Sequence, residues 1–267
     1  MPPRTDRVLL LRRFAYGETS LVVQALSRRY GRVHLIAKGA YRPKARFYAA
    51  LDLFDTLELE WQHSPGRELM NLRAAGIATR RHRIAFDLAR FRAGATVLEL
   101  TSTAAHAGQP SPELFDLAEG GLDALAAEPR SPELALVVFE LRFLHNLGLA
   151  PALLACAACG GPAPAVPGPG PRRAAFSAGA GGRLCGACAE EARGAGRRVG
   201  TLPVVVLERT AELTETPDDE LTGRELPADE LDRVRDLVSR FLEYHLEGRP
   251  KTYRRFLSVP NRNRPTA

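Results

Sequence analysis

The sequence predicts an α+β multidomain protein. An all-β section over residues 1–80 has the size of an OB-fold β-barrel, and a mostly α-helical domain follows over residues 81–267, with an inserted four-cysteine zinc module at about 152–200. Three observations predict this. Five short apolar-rich runs with turn signals every 8–12 residues fill the first 80 residues. Near Arg80 the apolar spacing lengthens to three and four residues, which is helical. Two C-x-x-C pairs then interrupt the helical pattern.

The β section begins with an apolar-rich run from Val8 to Tyr16, ended by Gly17-Glu18. Leu21 to Leu26 follows, and a turn spans Ser27 to Gly31. Arg32 to Leu35 alternates basic or polar with apolar residues, and the run continues to Lys38. Leu51 to Trp61 reads as one strand, with Leu51, Leu53, Leu57 and Leu59 opposite Asp52, Glu58 and Glu60. His63-Ser64-Pro65-Gly66 is a turn, and Glu68 to Ile77 forms the fifth run. Five strands of this length suit a small barrel or sandwich; the five-stranded OB barrel fits both count and length.

Ile84, Leu88, Phe91, Ala95, Leu98 and Thr101 share helical spacing. Two helix starts then carry one signature, Ser111-Pro112-Glu113 and Ser131-Pro132-Glu133. Serine caps the free N–H groups, proline occupies the first turn where its missing N–H costs nothing, and glutamate meets the positive dipole end. The helix from Glu133 to Leu147 is apolar on nearly every face, so it belongs inside a helical domain. The run Pro162 to Pro171 is a loop. Val204 to Leu207 is a short apolar run leading into an acidic segment, and Leu231, Val234, Leu237, Phe241 and His245 mark one stripe of a final helix.

Charge is distributed unevenly. Residues 1–80 hold 14 Lys/Arg against 7 Asp/Glu, so this section carries +7 of a chain whose net charge is +6. Its densest part is the loop region with Arg28, Arg29, Arg32, Lys38, Arg42, Lys44 and Arg46, which contains no acid and is interleaved with Tyr30 and Tyr41. Fixed cations among rings suit a polyanion with stackable bases. The competing reading is a solvated, cation-blunted loop. Arg12 and Arg13 in the first run join the candidate nucleic-acid contacts, and Tyr30, Tyr41 and Tyr48 are the candidate stacking rings. No early apolar run reads as a secretory signal, and no window is long and apolar enough to span a membrane.

All four cysteines lie in C-x2-C-x25-C-x2-C spacing: Cys156, Cys159, Cys185 and Cys188. Each pair suits a tight knuckle, and four thiolates on two knuckles close a tetrahedral zinc site with no open position, hence a structural one. A redox C-x-x-C would come with a βαβ pattern, which is missing. Arg172, Arg173, Arg183, Arg193, Arg197 and Arg198 surround the module in sequence and read either as an addition to a nucleic-acid surface or as solvated loop charges. Catalytic signatures are absent: no H-E-x-x-H, P-loop, nucleophile elbow or dinucleotide fingerprint occurs. The six histidines lack metal-pair spacing, His145 and His245 read as core-edge residues, and Asp218-Asp219-Glu220 reads as a solvated acidic loop.

The text L-R-R-F-A-Y-G-E-T-S-L-V-V from Leu11, followed by G-R-V-H-L-I-A-K-G-A from Gly31 to Ala40, resembles the RecO family of bacterial recombination mediators. A shorter likeness falls at Leu72 to Ala75, and F-E-L-R-F-L-H-N-L-G (Phe139 to Gly148) is similar to the family's central helix. The cysteine pairs match the zinc module of many members, and Tyr244 to Phe256 resembles the closing helix, with Tyr253 where serine is usual. The resemblance implies an OB domain followed by a helical domain with one structural Zn2+. It implies a non-enzymatic, cytoplasmic, nucleoid-associated protein that binds single- and double-stranded DNA and anneals complementary strands. Such a protein acts with RecR and single-stranded-DNA-binding protein to load RecA, with no membrane partner. It carries Arg32 and Lys38 over to the nucleic-acid face; Arg42, Lys44 and Arg46 rest on charge alone. The alternatives are a zinc-dependent, nuclease-like enzyme and a protein-interaction scaffold.

Overall fold

The computed structural model describes residues 3–42, 50–221, 223–246 and 251–252. They fall into two compact units, Met1–Ala127 and Glu128–Ala267.

The first unit is built on strands β1 (Arg4–Tyr16), β2 (Ser20–Ser27), β3 (Gly31–Ala37), β4 (Thr56–Gln62) and β5 (Leu69–Thr79). They close into a barrel in the order β1-β2-β3-β5-β4, with β3 and β5 parallel and the other pairs antiparallel. This is the small five-stranded OB-like barrel expected from the strand count. Alternate residues fill it: Val8 and Leu10, Leu21 and Val23, Val33 and Leu35, Leu57, Leu59 and Trp61, Met70 and Leu72. Tyr30 meets Trp61 edge-on, with ring centroids 5.5 Å apart.

The expected strand at Leu51 to Trp61 begins only at Thr56. Phe54 has φ 74°, a left-handed conformation that ends extended pairing. Leu51 and Phe54 are nonetheless buried, so the connection keeps the apolar residues of a strand without its backbone. Phe54 packs edge-on against Phe91 at 5.3 Å. A Cβ on Gly94 would come within 2.9 Å of the Phe54 ring and 3.0 Å of Ile84, so this close packing needs glycine.

Helices α1 (His82–Phe86), α2 (Leu88–Ala104) and α3 (Pro112–Ala126) complete the first unit. The loop after α2 lies on the start of β3, where the Arg32 amide donates to the His106 carbonyl at 3.0 Å. At Gly31, φ is 68° and a Cβ would sit 2.3 Å from the Gln109 carbonyl oxygen, so only glycine lets the loop approach. Helix α3 presents Asp116, Glu119 and Asp123 along one ridge, and barrel cations meet it. Arg28 donates to Asp116 twice, at 2.8 and 2.9 Å, and Arg7 pairs with Glu119 at 2.5 Å. Arg81 donates to Asp123 at 2.6 Å. The Arg81 side chain is only 1% exposed and also donates to the Phe54 carbonyl and the Thr56 hydroxyl.

In the second unit, α4 (Pro132–Asn146) is buried on nearly every face, as its composition requires. Ser131 accepts from the Leu134 amide, the expected cap. The helix packs with α6 (Val204–Glu215) and α8 (Ala228–His245), while α7 (Asp218–Leu221) is a single turn. Helix α8 buries Val234, Leu237, Val238, Phe241 and Leu242 on one stripe. The Val204 to Leu207 run is the first turn of α6.

Residues 152–200 are more ordered than their composition suggests. They hold β6 (Arg173–Ser177), β7 (Gly182–Leu184), helix α5 (Gly186–Gly194) and the start of β8 (Gly200–Pro203); the sheet order is β7-β6-β8. Strands of three to five residues are too short to show a period, so spacing alone hides them. Among the described residues no helix is long and apolar enough to cross a membrane.

Arg81→Met should destabilise the barrel unit by about 3–5 kcal/mol, because removing one partner strands the buried polar groups of the other. Trp61 is the single tryptophan and lies in the barrel interior, so denaturant unfolding followed by its fluorescence reads this unit. An unchanged midpoint would refute the role given to Arg81.

Candidate nucleic-acid interface and metal centre

One irregularity in β1 shapes the outer face of the barrel. The register between β1 and β2 shifts between Leu10 and Arg12: Leu10 pairs with Ala25, but Arg12 pairs with Gln24. Val8 and Leu10 point inward, and strict alternation would send Arg12, Phe14 and Tyr16 inward as well. The extra residue re-aims them to the outside. Pairing then lines up Arg12, Gln24 and His34 in one row and Phe14, Val22 and Ile36 in the next. Phe14 is 51% exposed and Tyr16 59%. His34 is half-buried; burial lowers its pKa, and the nearby Arg32 charge lowers it further, so it is neutral at pH 7. The face is thus a cation, two open rings and half-buried apolar groups.

The turn after β3 extends this face. Lys38, Tyr41 and Arg42 are exposed. Gly39, at φ 71°, lets the Arg42 amide close on the Gly39 carbonyl at 3.0 Å. The Tyr41 amide donates to Thr19 in the β1–β2 turn, which places this cationic turn beside the end of β1. Arg32 is half-buried, and its Nε is buried without a hydrogen-bond partner.

The sequence candidates separate into two groups. Arg12, Arg32, Lys38 and Arg42 make no ion pair among the described residues. Arg13, Arg28 and Arg29 do: Arg13 reaches Asp52 and the Leu51 carbonyl, and Arg28 grips Asp116. The Arg28 hydrogen bond holds the Asp116 carboxyl below its ordinary pKa. Arg29 donates to the buried Asp6 at 2.9 Å, fastening the β2–β3 turn to β1. These three act in holding the barrel together, because carboxylates lie within reach of each. Tyr30 is also committed, against Trp61 and under Arg4, whose guanidinium lies 4.5 Å from its ring centre. Lys44, Arg46 and Tyr48 lie outside the described residues. Phe14 and Tyr16 are the residues that reasoning from sequence missed. Their only signal is aromatic character in an apolar-rich run, and the bulge that exposes them leaves no mark in residue types.

The four cysteines come together as their spacing requires. Their sulfur atoms all lie within 4.8 Å of one another. Four sulfurs around one ion at about 2.3 Å would sit about 3.8 Å apart, so only a small contraction is needed. Cys156 and Cys159 occupy a knuckle closed by the Gly160 amide on the Cys156 carbonyl at 2.8 Å, with Gly160 at φ 71°. Cys185 caps the start of α5 and Cys188 sits in its first turn. Burial pushes the Cys156 thiol up, but amides of Cys185, Cys159 and Ala158 outweigh it and hold the group at about 6. Cys188 is pushed up to about 12, chiefly because its thiol hydrogen-bonds Cys185 and also Cys156. One sulfur is thus prepared as a thiolate while its neighbours share protons that a cation would displace, as metal binding demands. The set can hold a metal ion with no position left for substrate.

Of the arginines around this module, Arg183 is buried and Arg193 pairs with Glu190. Arg173 donates to Thr201, whereas Arg172, Arg197 and Arg198 are exposed. Asp218 binds Arg130 and Arg142 and so closes the helical unit. His145 is exposed rather than at the core edge; His245 is half-buried against Phe241, with ring centroids 4.4 Å apart.

Comparison with known proteins adds an independent observation. The family model for the N-terminal part of recombination protein O matches residues 1–80, and that for its C-terminal part matches residues 85–254. The chain is 37% identical over 260 residues to the DNA repair protein RecO of Anaeromyxobacter dehalogenans strain 2CP-C, covering 94% of this chain and 96% of the relative. It is 35% identical over 191 residues to the DNA repair protein RecO of Streptomyces griseus, covering 68% and 73% respectively.

Purified protein should carry one divalent metal ion per chain, read by elemental mass spectrometry against protein concentration. Cys159→Ser and Cys188→Ser should each lose it and lower the melting temperature of the second unit. Acidification should release the ion, because protons compete for the thiolates. Full metal content in both variants would rule out the four-sulfur site.

Proposed function

The chain belongs to the RecO family and so has a role in DNA repair and recombination; from that premise we propose that it is a non-enzymatic recombination mediator. It binds single- and double-stranded DNA, anneals complementary strands and, with RecR, promotes RecA loading where single-stranded-DNA-binding protein covers the strand. Residues 1–80 supply the DNA-gripping barrel. Residues 81–267 supply the helical domain and its module at about 152–200, where a single structural Zn2+ sits on Cys156, Cys159, Cys185 and Cys188. The protein works in the bacterial cytoplasm, at the nucleoid.

One observation carries the DNA-binding part of this reading. The outer face of β1 to β3 joins open rings, Phe14 and Tyr16, to cations with no carboxylate partner among the described residues: Arg12, Arg32, Lys38 and Arg42. Stacking accepts any base, and phosphate contacts read no sequence, which is what a mediator acting anywhere on a genome requires. Annealing follows if the cations screen two polyanions brought together on one protein. Zinc is favoured over other ions because four thiolates in a closed tetrahedral set suit it and leave nothing to react.

On single strands each phosphate contact contributes about −0.7 to the slope of log K against log salt. Reversing Lys38 and Arg42 together to glutamate should therefore weaken binding and flatten that slope by about 1.4. Phe14→Ala and Tyr16→Ala should each cost about 1–3 kcal/mol of single-strand affinity while leaving the slope alone. Fluorescence anisotropy across a salt series reads all of these. A slope that does not move on charge reversal would sink the assignment.

A further inference from the structure

The short text L-R-A-A at Leu72 to Ala75 lies in β5, and the barrel has a second bulge there. Trp61 of β4 pairs with Leu72, but the preceding Glu60 pairs with Ala74, so Arg73 is the extra residue. Before the bulge Met70 and Leu72 point into the barrel; after it Ala75 and Ile77 pack on the same core. Arg73 and Ala74 therefore both stand on the outside, and both are exposed. Arg73 makes no ion pair among the described residues, and its alanine neighbour is too small to cover it.

Register carries the outer face of β1 to β3 onto this strand. His34 pairs with Leu69 and Ile36 with Asn71, in parallel. The row Arg12, Gln24, His34 thus continues to Leu69, which is 38% exposed. The row Phe14, Val22, Ile36 continues to the half-buried Asn71. Two residues further, Arg73 comes level with Lys38, just past the end of β3. The face is then four strands wide. Three spacings of about 4.8 Å give about 14 Å from β1 to β5, room for about four stacked nucleotides at about 3.4 Å each.

The surface changes sign beyond this point. The next outward residues of β5 are Ala74, Gly76 and Ala78, and β4 presents Glu60 and Glu58 opposite them. Neither carboxylate has an ion-pair partner among the described residues. A phosphate chain gains no contact past Arg73 and meets like charge there. Arg67 is also exposed and makes no ion pair among the described residues, but it sits in the turn before β5 with Glu68 beside it. Register sets Arg67 level with Arg32, where the loop after α2 lies on β3, at the opposite end from Lys38, Tyr41 and Arg42.

We propose that Arg73 is the terminal phosphate contact of the single-strand site, so that a polynucleotide runs from the Phe14 and Tyr16 rings past Lys38 and ends on the fourth strand. The proposal deepens the DNA-binding reading above and rests on it. It gives the site a limit: three strands supply rings and cations, β5 supplies the last cation, and the carboxylates of β4 close the path.

The test is fluorescence anisotropy of the full chain with labelled oligothymidylate and oligoadenylate across a salt series. Arg73→Gln should weaken binding and flatten the slope of log K against log salt by about 0.7, the value of one single-strand phosphate contact. The loss should be alike on both oligonucleotides, because a phosphate contact reads no base. Arg73→Lys should keep the slope. Arg67→Gln makes the same change in net charge and should leave the slope in place. Unfolding followed by Trp61 fluorescence should show one midpoint for all of these variants, which confirms that the barrel is intact. An unmoved slope in Arg73→Gln, or an equal flattening in Arg67→Gln, overturns the contact and leaves the reading above standing; Arg73 then only blunts the edge of β5 that has no pairing with β3 after Asn71. Failure of the unaltered chain to bind either oligonucleotide at low salt overturns the DNA-binding reading, and the contact with it.

Discussion

The carboxylates of α3 decide which barrel cations remain for a partner. Asp116, Glu119 and Asp123 lie at helical spacing on one face, and Arg28, Arg7 and Arg81 meet them. Arg81 is the buried member, donating to Asp123, the Phe54 carbonyl and the Thr56 hydroxyl, and its loss would strand those acceptors. This seam draws the α2–α3 hairpin onto the barrel and neutralises the cations on that side. Cations without a carboxylate partner among the described residues are left at Arg12, Lys38 and Arg42 on the β1 to β3 face, and at the half-buried Arg32 beside the loop after α2. The same ion pairs that close the unit therefore give its electrostatic field a direction.

The bulge in β1 does the corresponding work for the rings. Without it Phe14 and Tyr16 would share the inward parity of Val8 and Leu10, and β1 would present no open ring on this face. With it, a cation and two rings occupy successive rows beside the hairpin that ends in Lys38. Charge supplies long-range, salt-sensitive attraction and the rings supply short-range contact with bases. Tyr30 shows that a ring within a basic text is not enough: it is enclosed by Trp61 and Arg4 and serves the barrel.

The four-cysteine module meets a different need. Its core, apart from the thiols, is mostly alanine: Ala163, Ala175, Ala189 and Ala192, with Leu184. So little apolar volume cannot hold three short strands and a short helix by burial alone. A metal ion on the four clustered sulfurs would supply what the small side chains do not.

By itself the sequence determined the elements whose residue types carry their own reason. The barrel strands alternate, the serine-proline-glutamate starts cap helices, the all-round apolar α4 is interior, and the paired cysteines meet. It also placed the excess positive charge in the first 80 residues. Tertiary structure alone decided what each cation does: Arg13, Arg28 and Arg29 are spent on carboxylates up to 88 residues away in the chain, a distance no local pattern reports. It decided the exposure of Phe14 and Tyr16, because a bulge inverts the parity of everything after it. It also set the break at Phe54, where burial persists while the backbone leaves the sheet, and the short strands of the cysteine module. Local periodicity records which residues want to be covered; which face they turn, and which partner they meet, follows from register and closure, and these are properties of the whole barrel.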